Sequence, residues 1–188
     1  TRVIMQMAAH SVQEMVDVVE RTEELAPHIS ALELNISCPN LARGGTPLGA
    51  TPRQAAEVMR AVRPLTTLPL LVKMAPVNVA EIGKALEAEG ANGLTLINSL
   101  SGMSIDVHTR RSRLSKPTGG MSGPLCHNVA VRMVWECAQA VRIPICGVGG
   151  VETGEDAAEF ILAGATAVSV GSANLYDPMS APRILAEL

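Results

Sequence analysis

The feature that most constrains the fold of this chain is a repeated alternation of short aliphatic segments with longer segments of helical periodicity. Such alternation is typical of consecutive βα units around a parallel sheet. The strands of six units are predicted at residues 3–8, 32–37, 69–74, 93–98, 144–148 and 166–171. Helices are predicted at residues 12–25, 79–89, 129–141 and 154–162, and from about residues 51 and 180. Residues 99–123 lack periodicity and are predicted to form a long loop.

Two architectures fit successive βα units, a (β/α)8 barrel and an open doubly wound sheet. No GxGxxG sequence follows the first predicted strand, whereas the last two strands end in glycine-rich turns at residues 147–150 and 170–172. Barrels commonly build a phosphate site after strands seven and eight. We therefore predict an α/β fold of the TIM-barrel class, with about strands 3 to 8 present. A barrel needs roughly 250 residues, so residues 1–188 are expected to form a single barrel domain without its first two βα units.

The composition narrows the class of protein. The 188 residues are 47% apolar and include one Trp, one Tyr and one Phe, which predicts a globular domain with an aliphatic core. No segment approaches the roughly 18 apolar residues of a membrane-spanning helix, and the first residues do not resemble a signal peptide. A soluble cytoplasmic protein is expected. The net charge of −3, without basic runs, argues against nucleic-acid binding and favours a small-molecule partner.

The four cysteines show no CxxC spacing and no ligand cluster with the histidines, so neither a disulfide framework nor a metal site is predicted. Cys38 lies in the run ELNISCPN, where a predicted strand reaches the mouth of the barrel. A thiol there can act as a base or nucleophile, and the amides of Asn35 and Asn40 can hold a planar substrate. The alternative for Cys38 is a small buried hydrophobe, which is the role predicted for Cys137 and Cys146.

Lys73 lies within an apolar predicted strand, where an unpaired lysine is costly. It could face a ligand that accumulates negative charge, form an ion pair with Glu33 or a neighbouring carboxylate, or form a Schiff base. Asn98 and Ser99 occupy the corresponding end of the next strand. Asparagine there is weak evidence by itself, because turn residues often end strands.

Glycine-rich turns suggest a phosphate site. Gly149 and Gly150 precede a helix that Thr153 can cap, so the loop could present backbone N–H groups to a phosphate. A tight turn that needs glycine only for its φ angle explains the pair equally well. A second glycine turn, Gly171-Ser172, shifts the balance toward phosphate. A third cluster, GGMSG, would permit close backbone approach to a flat ring.

In combination and order, these segments resemble the class 1 dihydroorotate dehydrogenases over nearly the entire chain. The most specific stretch is ELNISCPN followed by Gly44-Gly45 and Gly49, which is similar to the class 1B branch. Further similarity lies in the runs VK at residue 72, LINS, GGMSG, GVGGVETG and VGSAN.

The resemblance implies an FMN-bound barrel that oxidises dihydroorotate to orotate in pyrimidine synthesis. Cys38 would take the C5 proton while hydride leaves C6 for the flavin, and Lys73 would stabilise charge on the flavin. The substrate-binding residues so implied are Asn35, Asn40, Asn98 and Ser99. The cofactor-binding residues so implied are Asn35, Lys73, Ile97, Gly123, Gly149, Gly150, Gly171 and Ser172. The resemblance also implies a homodimer paired with a subunit that carries FAD and a [2Fe-2S] cluster, with NAD as final acceptor.

The sequence departs from the family in two places. The early strands that contact flavin and substrate are absent, and Cys126-His127-Asn128 stands where the family usually has a Lys-Pro pair after GGMSGP. One alternative is a dihydropyrimidine dehydrogenase, which reduces uracil or thymine. Another is a flavin-free, phosphate-binding Schiff-base lyase or isomerase barrel that uses Lys73. A third is a non-catalytic fragment whose open sheet edges invite aggregation.

Overall fold

The computed structural model describes residues 1–37 and 47–188, apart from the side chain of Glu23. The strands in this part of the chain are β1 (Ile4–Ala8), β2 (Ala31–Asn35), β3 (Leu70–Lys73), β4 (Gly93–Leu96), β5 (Leu100–Gly102), β6 (Ile105–Asp106), β7 (Arg111–Ser112), β8 (Gly119–Met121), β9 (Ile145–Val148) and β10 (Ala167–Ser169). The α-helices are α1 (Val12–Thr22), α2 (Pro52–Val62), α3 (Val79–Ala88), α4 (His127–Ala138), α5 (Gly154–Leu162) and α6 (Ser180–Glu187).

Six strands form one parallel sheet in the order β1-β2-β3-β4-β9-β10. Each strand pairs in parallel with its neighbour, and a helix lies in the sequence between successive members. The first and last members, β1 and β10, are the two edges of the sheet. This is the arrangement expected for six consecutive βα units of a barrel that is not closed within residues 1–188.

The two faces of the sheet differ in chemistry because successive side chains of a strand point to opposite faces. The face toward the helices is aliphatic and at most 1% exposed; it includes Leu32, Leu34, Leu70, Val72, Leu94 and Leu96. The other face carries the polar side chains of the sheet, among a few apolar ones such as Leu71 and Val148, and is called the polar face. There the Glu33 carboxylate accepts hydrogen bonds from Gln6 Nε2 and Thr95 Oγ1, each at 2.5 Å. Glu33 and Thr95 lie on strands separated by β3, so this face corresponds to the concave interior of a barrel wall.

Helices α1, α2, α3 and α5 begin where the sequence predicts, whereas α4 begins at His127, two residues earlier than predicted. Thr51 caps α2 by accepting a hydrogen bond from Gln54 N, and Pro52 occupies the first turn, where its missing N–H is not needed. A complete capping box joins Thr153 and Asp156 at the start of α5. The buried stripe of α2, comprising Ala55, Val58, Met59 and Val62, follows the three-and-four spacing of a helix that packs on a sheet.

Several predicted boundaries differ from the structure by one to three residues, and two predictions also differ in the type of structure. The helix predicted at residues 12–25 ends at Thr22 and continues as a 3-10 helix, Glu23–His28, which contains Pro27. Proline lacks an N–H and disfavours the α conformation of the residue before it. The loop predicted at residues 99–123 contains two antiparallel pairs, β5 with β8 and β6 with β7. Strands of two or three residues are too short to show a two-residue periodicity in the sequence.

Within the described residues, the helices are all too short or too polar to cross a membrane.

The contact between Gly147 on β9 and Phe160 on α5 tests this packing. A Cβ at Gly147 would lie 2.8 Å from Phe160 Cγ, and Phe160 is fully buried. Gly147→Ala is therefore expected to lower the free energy of unfolding by about 2 kcal/mol, because overpacked cores cannot relax completely. Urea unfolding of the purified protein measures this. Gly171→Ala is the matched control, since a Cβ there would meet nothing within 4 Å. Equal stability of the two variants would contradict the packing described here.

Candidate functional site

A cavity of about 180 Å³ lies beyond the C-terminal ends of β3, β4 and β9. Side chains or backbone from five separate parts of the sequence line it. They are Lys73, Ile97, Asn98, Ser99, Met121, Ser122, Gly123, Cys126, Val148, Gly149, Gly150, Gly171 and Ser172. Parallel strands bring these parts together because their carboxyl ends meet at one edge of the sheet, which is where barrels build their sites.

The cavity contains most of the residues predicted to form a site. Nine of them line it: Lys73, Ile97, Asn98, Ser99, Gly123, Gly149, Gly150, Gly171 and Ser172. Asn35 is paired in register with Lys73 but does not line the cavity. The predictions for Cys38 and Asn40 lie outside the described residues.

A chain of amides and hydroxyls orders one side of this region. Asn35 Oδ1 accepts hydrogen bonds from Ser37 N at 3.2 Å and from Ser37 Oγ at 2.9 Å. Ser37 Oγ accepts from Asn98 Nδ2 at 2.7 Å, and Asn98 Oδ1 accepts from Ser99 N at 2.8 Å. Ser37 N and Ser37 Oγ both donate to Asn35 Oδ1. The Nδ2 group of Asn35 can therefore donate to a ligand.

Lys73 ends β3 and is half-buried, in register with Asn35 on one side and Thr95 on the other. No carboxylate within residues 1–37 and 47–188 forms an ion pair with it. The alternative of an ion pair with Glu33 is therefore wrong for the described chain, since Gln6 and Thr95 bind that carboxylate instead. Lys73 lines the cavity and could therefore offer a positive charge to a ligand there.

Two cysteines predicted for the core behave differently. Cys137 is fully buried, and its Sγ donates to Val79 O at 3.6 Å. Burial, reinforced by Glu87, raises the pKa of Cys137 to about 12. Cys146 lies half-buried on the polar face of β9, so its assignment to the apolar core was wrong. Its pKa is raised to about 11 by burial and then by Glu33, against an opposing effect of Lys73. Both groups are thiols at neutral pH, which makes them poor nucleophiles.

The glycine turns have different functions in the structure. Gly149 and Gly150 have φ angles of +145° and +68°, which L side chains rarely adopt. Added Cβ atoms would also lie 2.7 Å from Ala130 Cβ and from Gly123 O, respectively. These glycines are therefore needed for the turn and its packing, whatever the cavity binds. Gly171 differs, since a Cβ there would enter open space.

The start of α5 is not available to a phosphate in the way the sequence suggests. Glu152 N and Thr153 N both donate to Asp156 Oδ2 at 2.9 Å, and Gly154 N donates to Glu187 Oε2 at 2.7 Å. The Gly154 bond, followed by that from Arg183, lowers the pKa of Glu187. The Gly149-Gly150 turn itself lines the cavity, and Gly150 N–H makes no hydrogen bond within residues 1–37 and 47–188.

Sequence reasoning missed several residues of the site. Ser37 was considered only as part of its motif, yet it is 3% exposed and joins Asn35 to Asn98. Cys126 also lines the cavity, and its Sγ donates to Met121 O at 3.1 Å. Ser37 could have been found from its position two residues after Asn35. Nothing in the local sequence distinguishes Cys126 from a core cysteine.

Comparison with solved structures addresses the fold. A ligand-free DHODH from Eimeria tenella superposes with a TM-score of 0.77 at 23% identity, covering 94% of this chain and 55% of that chain. The complex of DHODH from Eimeria tenella with ferulenol gives 0.75 at 24% identity, covering 92% and 52%. The likeness confirms the predicted α/β fold, a partial TIM barrel.

Comparison of sequences addresses the family. The dihydroorotate dehydrogenase B (NAD(+)) catalytic subunit of Anoxybacillus flavithermus is 47% identical over 188 residues, covering 99% of this chain and 60% of the relative. The subunit of the same name from Geobacter sulfurreducens is 46% identical over 190 residues, covering 100% of this chain and 62% of the relative. The chain thus spans about 60% of the length of these relatives. The sequence profile of the dihydroorotate dehydrogenase family matches residues 1–188. The chain therefore belongs to the dihydroorotate dehydrogenase family.

Proposed function

We propose that the chain is the larger part of an FMN-dependent catalytic subunit that oxidises dihydroorotate to orotate in pyrimidine biosynthesis. The observation that carries the proposal is the cavity beyond β3, β4 and β9, around which nine predicted site residues converge. They come from strand ends that are far apart in the sequence. Packing accounts for the Gly149-Gly150 turn, but it does not require a lysine and an asparagine to border the same cavity.

The residues of the cavity fit a flavin mononucleotide. The open space at Gly171 and the backbone of the Gly149-Gly150 turn suit a phosphate, because neither presents a side chain to it. Lys73 supplies a positive charge that would stabilise a flavin carrying negative charge. Ile97 and Gly123 offer an apolar contact and a close backbone approach to a flat ring. When bound, FMN supplies the two-electron acceptor for the substrate's C6 hydride.

The substrate side of the proposal uses the amides. Asn35, Asn98 and Ser99 would bind the carboxylate, imide and amide edges of dihydroorotate, and Ser37 would hold the two asparagines in orientation. Asn40 is proposed to support the substrate on the strength of the family motif. Cys38 is proposed as the base that accepts the C5 proton. Loss of that proton and of the C6 hydride creates the C5–C6 double bond of orotate.

Partners are proposed from the names of the relatives, which are catalytic subunits of NAD(+) enzymes. We propose a homodimer associated with an electron-transfer subunit that carries FAD and a [2Fe-2S] cluster, with NAD as final acceptor. A cytoplasmic location is supported by the free thiols of Cys126, Cys137 and Cys146, which suit a reducing compartment.

Family membership favours dihydroorotate over the other candidate reactions. A dihydropyrimidine dehydrogenase would act on uracil or thymine, which lack the carboxylate of orotate. A Schiff-base lyase would leave Lys73 covalently trapped after borohydride treatment with substrate. Neither outcome is expected.

Removal of the proposed base tests the chemistry. Cys38→Ala in the full-length protein is expected to retain FMN but to slow its reduction by dihydroorotate about 100-fold or more, the usual effect of losing a general base. Stopped-flow absorbance under anaerobic conditions measures the rate. Cys146→Ala is the matched control and should be reduced at the wild-type rate, since Cys146 lies outside the cavity lining. Similar rates for wild type and Cys38→Ala would refute the assignment of the base.

Removal of the buried hydroxyl tests the amide chain. Ser37→Ala breaks the bonds to Asn35 and Asn98, and buried amides left without partners cost roughly 1–3 kcal/mol. We expect about a tenfold rise in the Kd for orotate, with FMN content unchanged. Titration of the FMN-loaded protein with orotate measures the Kd. Ser101→Ala, on the exposed strand β5, is the control and should bind orotate normally. An unaltered Kd in Ser37→Ala would show that the chain does not orient the substrate amides.

A further inference from the structure

His127 occupies a position that the proposed reaction leaves unexplained. It begins α4, is 7% exposed, and packs edge-on against Phe160 with ring centroids 5.3 Å apart. Its Nδ1 lies 3.2 Å from Gly149 O, and its Nε2 lies 3.2 Å from Glu159 Oε2.

The atoms around the ring determine its hydrogens. A carbonyl oxygen can only accept a hydrogen bond, so Nδ1 must carry the hydrogen in the contact with Gly149. Nε2 faces two carboxylates, Glu159 at 3.2 Å and Asp156 at 3.8 Å. Burial alone would raise the pKa of Asp156, but hydrogen bonds from Glu152 and Thr153, and attraction to His127, lower it. The ring is therefore held between the Gly149 carbonyl on one side and the two α5 carboxylates on the other.

The contact of His127 with Gly149 O matters because that oxygen belongs to the peptide unit between Gly149 and Gly150. The carbonyl of Gly149 and the N–H of Gly150 belong to one planar peptide unit and point in opposite directions. Neither residue has a Cβ to restrict rotation of that unit, so an external contact is needed to fix it. Both residues line the cavity. No acceptor within residues 1–37 and 47–188 takes the Gly150 N–H.

We propose that His127 is a positioning residue for phosphate recognition. By donating Nδ1–H to Gly149 O, and anchored through Nε2 to α5, it fixes the Gly149–Gly150 peptide so that the Gly150 N–H is presented to the phosphate of FMN. This inference rests on the proposed FMN site. His127 does not itself line the cavity, so its effect is expected only in the affinity that the phosphate adds.

Two isosteric substitutions separate the two ring nitrogens. Asparagine places an N–H donor at the Nδ1 position, whereas glutamine places one at the Nε2 position. The measured quantity is the ratio of the Kd for riboflavin to the Kd for FMN, obtained by quenching of flavin fluorescence on the full-length apoprotein. His127→Gln is expected to lower this ratio about fivefold, the effect of one lost hydrogen bond. His127→Asn is expected to keep it within about twofold of wild type.

Phe160→Leu is the control for general destabilisation, because it removes the ring contact but leaves the polar contacts of His127. It should lower the melting temperature without changing the ratio. A wild-type ratio in His127→Gln, or equal losses in the Gln and Asn variants, would overturn the inference while leaving the proposed function intact. A wild-type protein that binds riboflavin as tightly as FMN would instead overturn the proposed phosphate site itself.

Discussion

The site depends on the in-register parallel pairing of β2, β3, β4 and β9. This pairing sets Asn35 beside Lys73, and Lys73 beside Thr95. A shift of one residue would turn Lys73 toward the helices and an aliphatic side chain toward the cavity. Such a shift would bury an unpaired ammonium and expose apolar surface, so the register is set by the same burial that forms the core. Chemistry and stability therefore rest on one set of backbone hydrogen bonds.

The polar face of the sheet forms two layers. In the lower layer, Glu33 is held by Gln6 and Thr95. In the upper layer, Lys73 borders the cavity. The carboxylate accepts hydrogen bonds from neutral donors and, within the described residues, forms no ion pair with Lys73. A barrel interior can thus hold both charges without joining them in an ion pair.

The sequence predicted the strands well because their aliphatic runs reflect burial, and it predicted the caps Thr51 and Thr153 because capping is local. It failed where the outcome depends on distant contacts. Ser37 acquires its role from Asn98, 61 residues away. Cys146 was predicted to lie in the core. Ile145, however, packs against the helices, and strand alternation turns the next side chain, Cys146, to the opposite face. Likewise, the start of α5 was expected to present backbone N–H groups to a phosphate, but Gly154 N–H donates to Glu187 on α6.

The central claim is that these residues belong to an FMN enzyme that oxidises dihydroorotate. Its most direct test is anaerobic titration of the full-length protein, as purified, with dihydroorotate and in parallel with dihydrouracil, followed by absorbance near the flavin band. We predict that FMN copurifies with the protein. Dihydroorotate, but not dihydrouracil, should bleach the flavin band stoichiometrically. Bleaching by dihydrouracil alone, or a folded protein that carries no FMN and cannot be loaded with it, would contradict it.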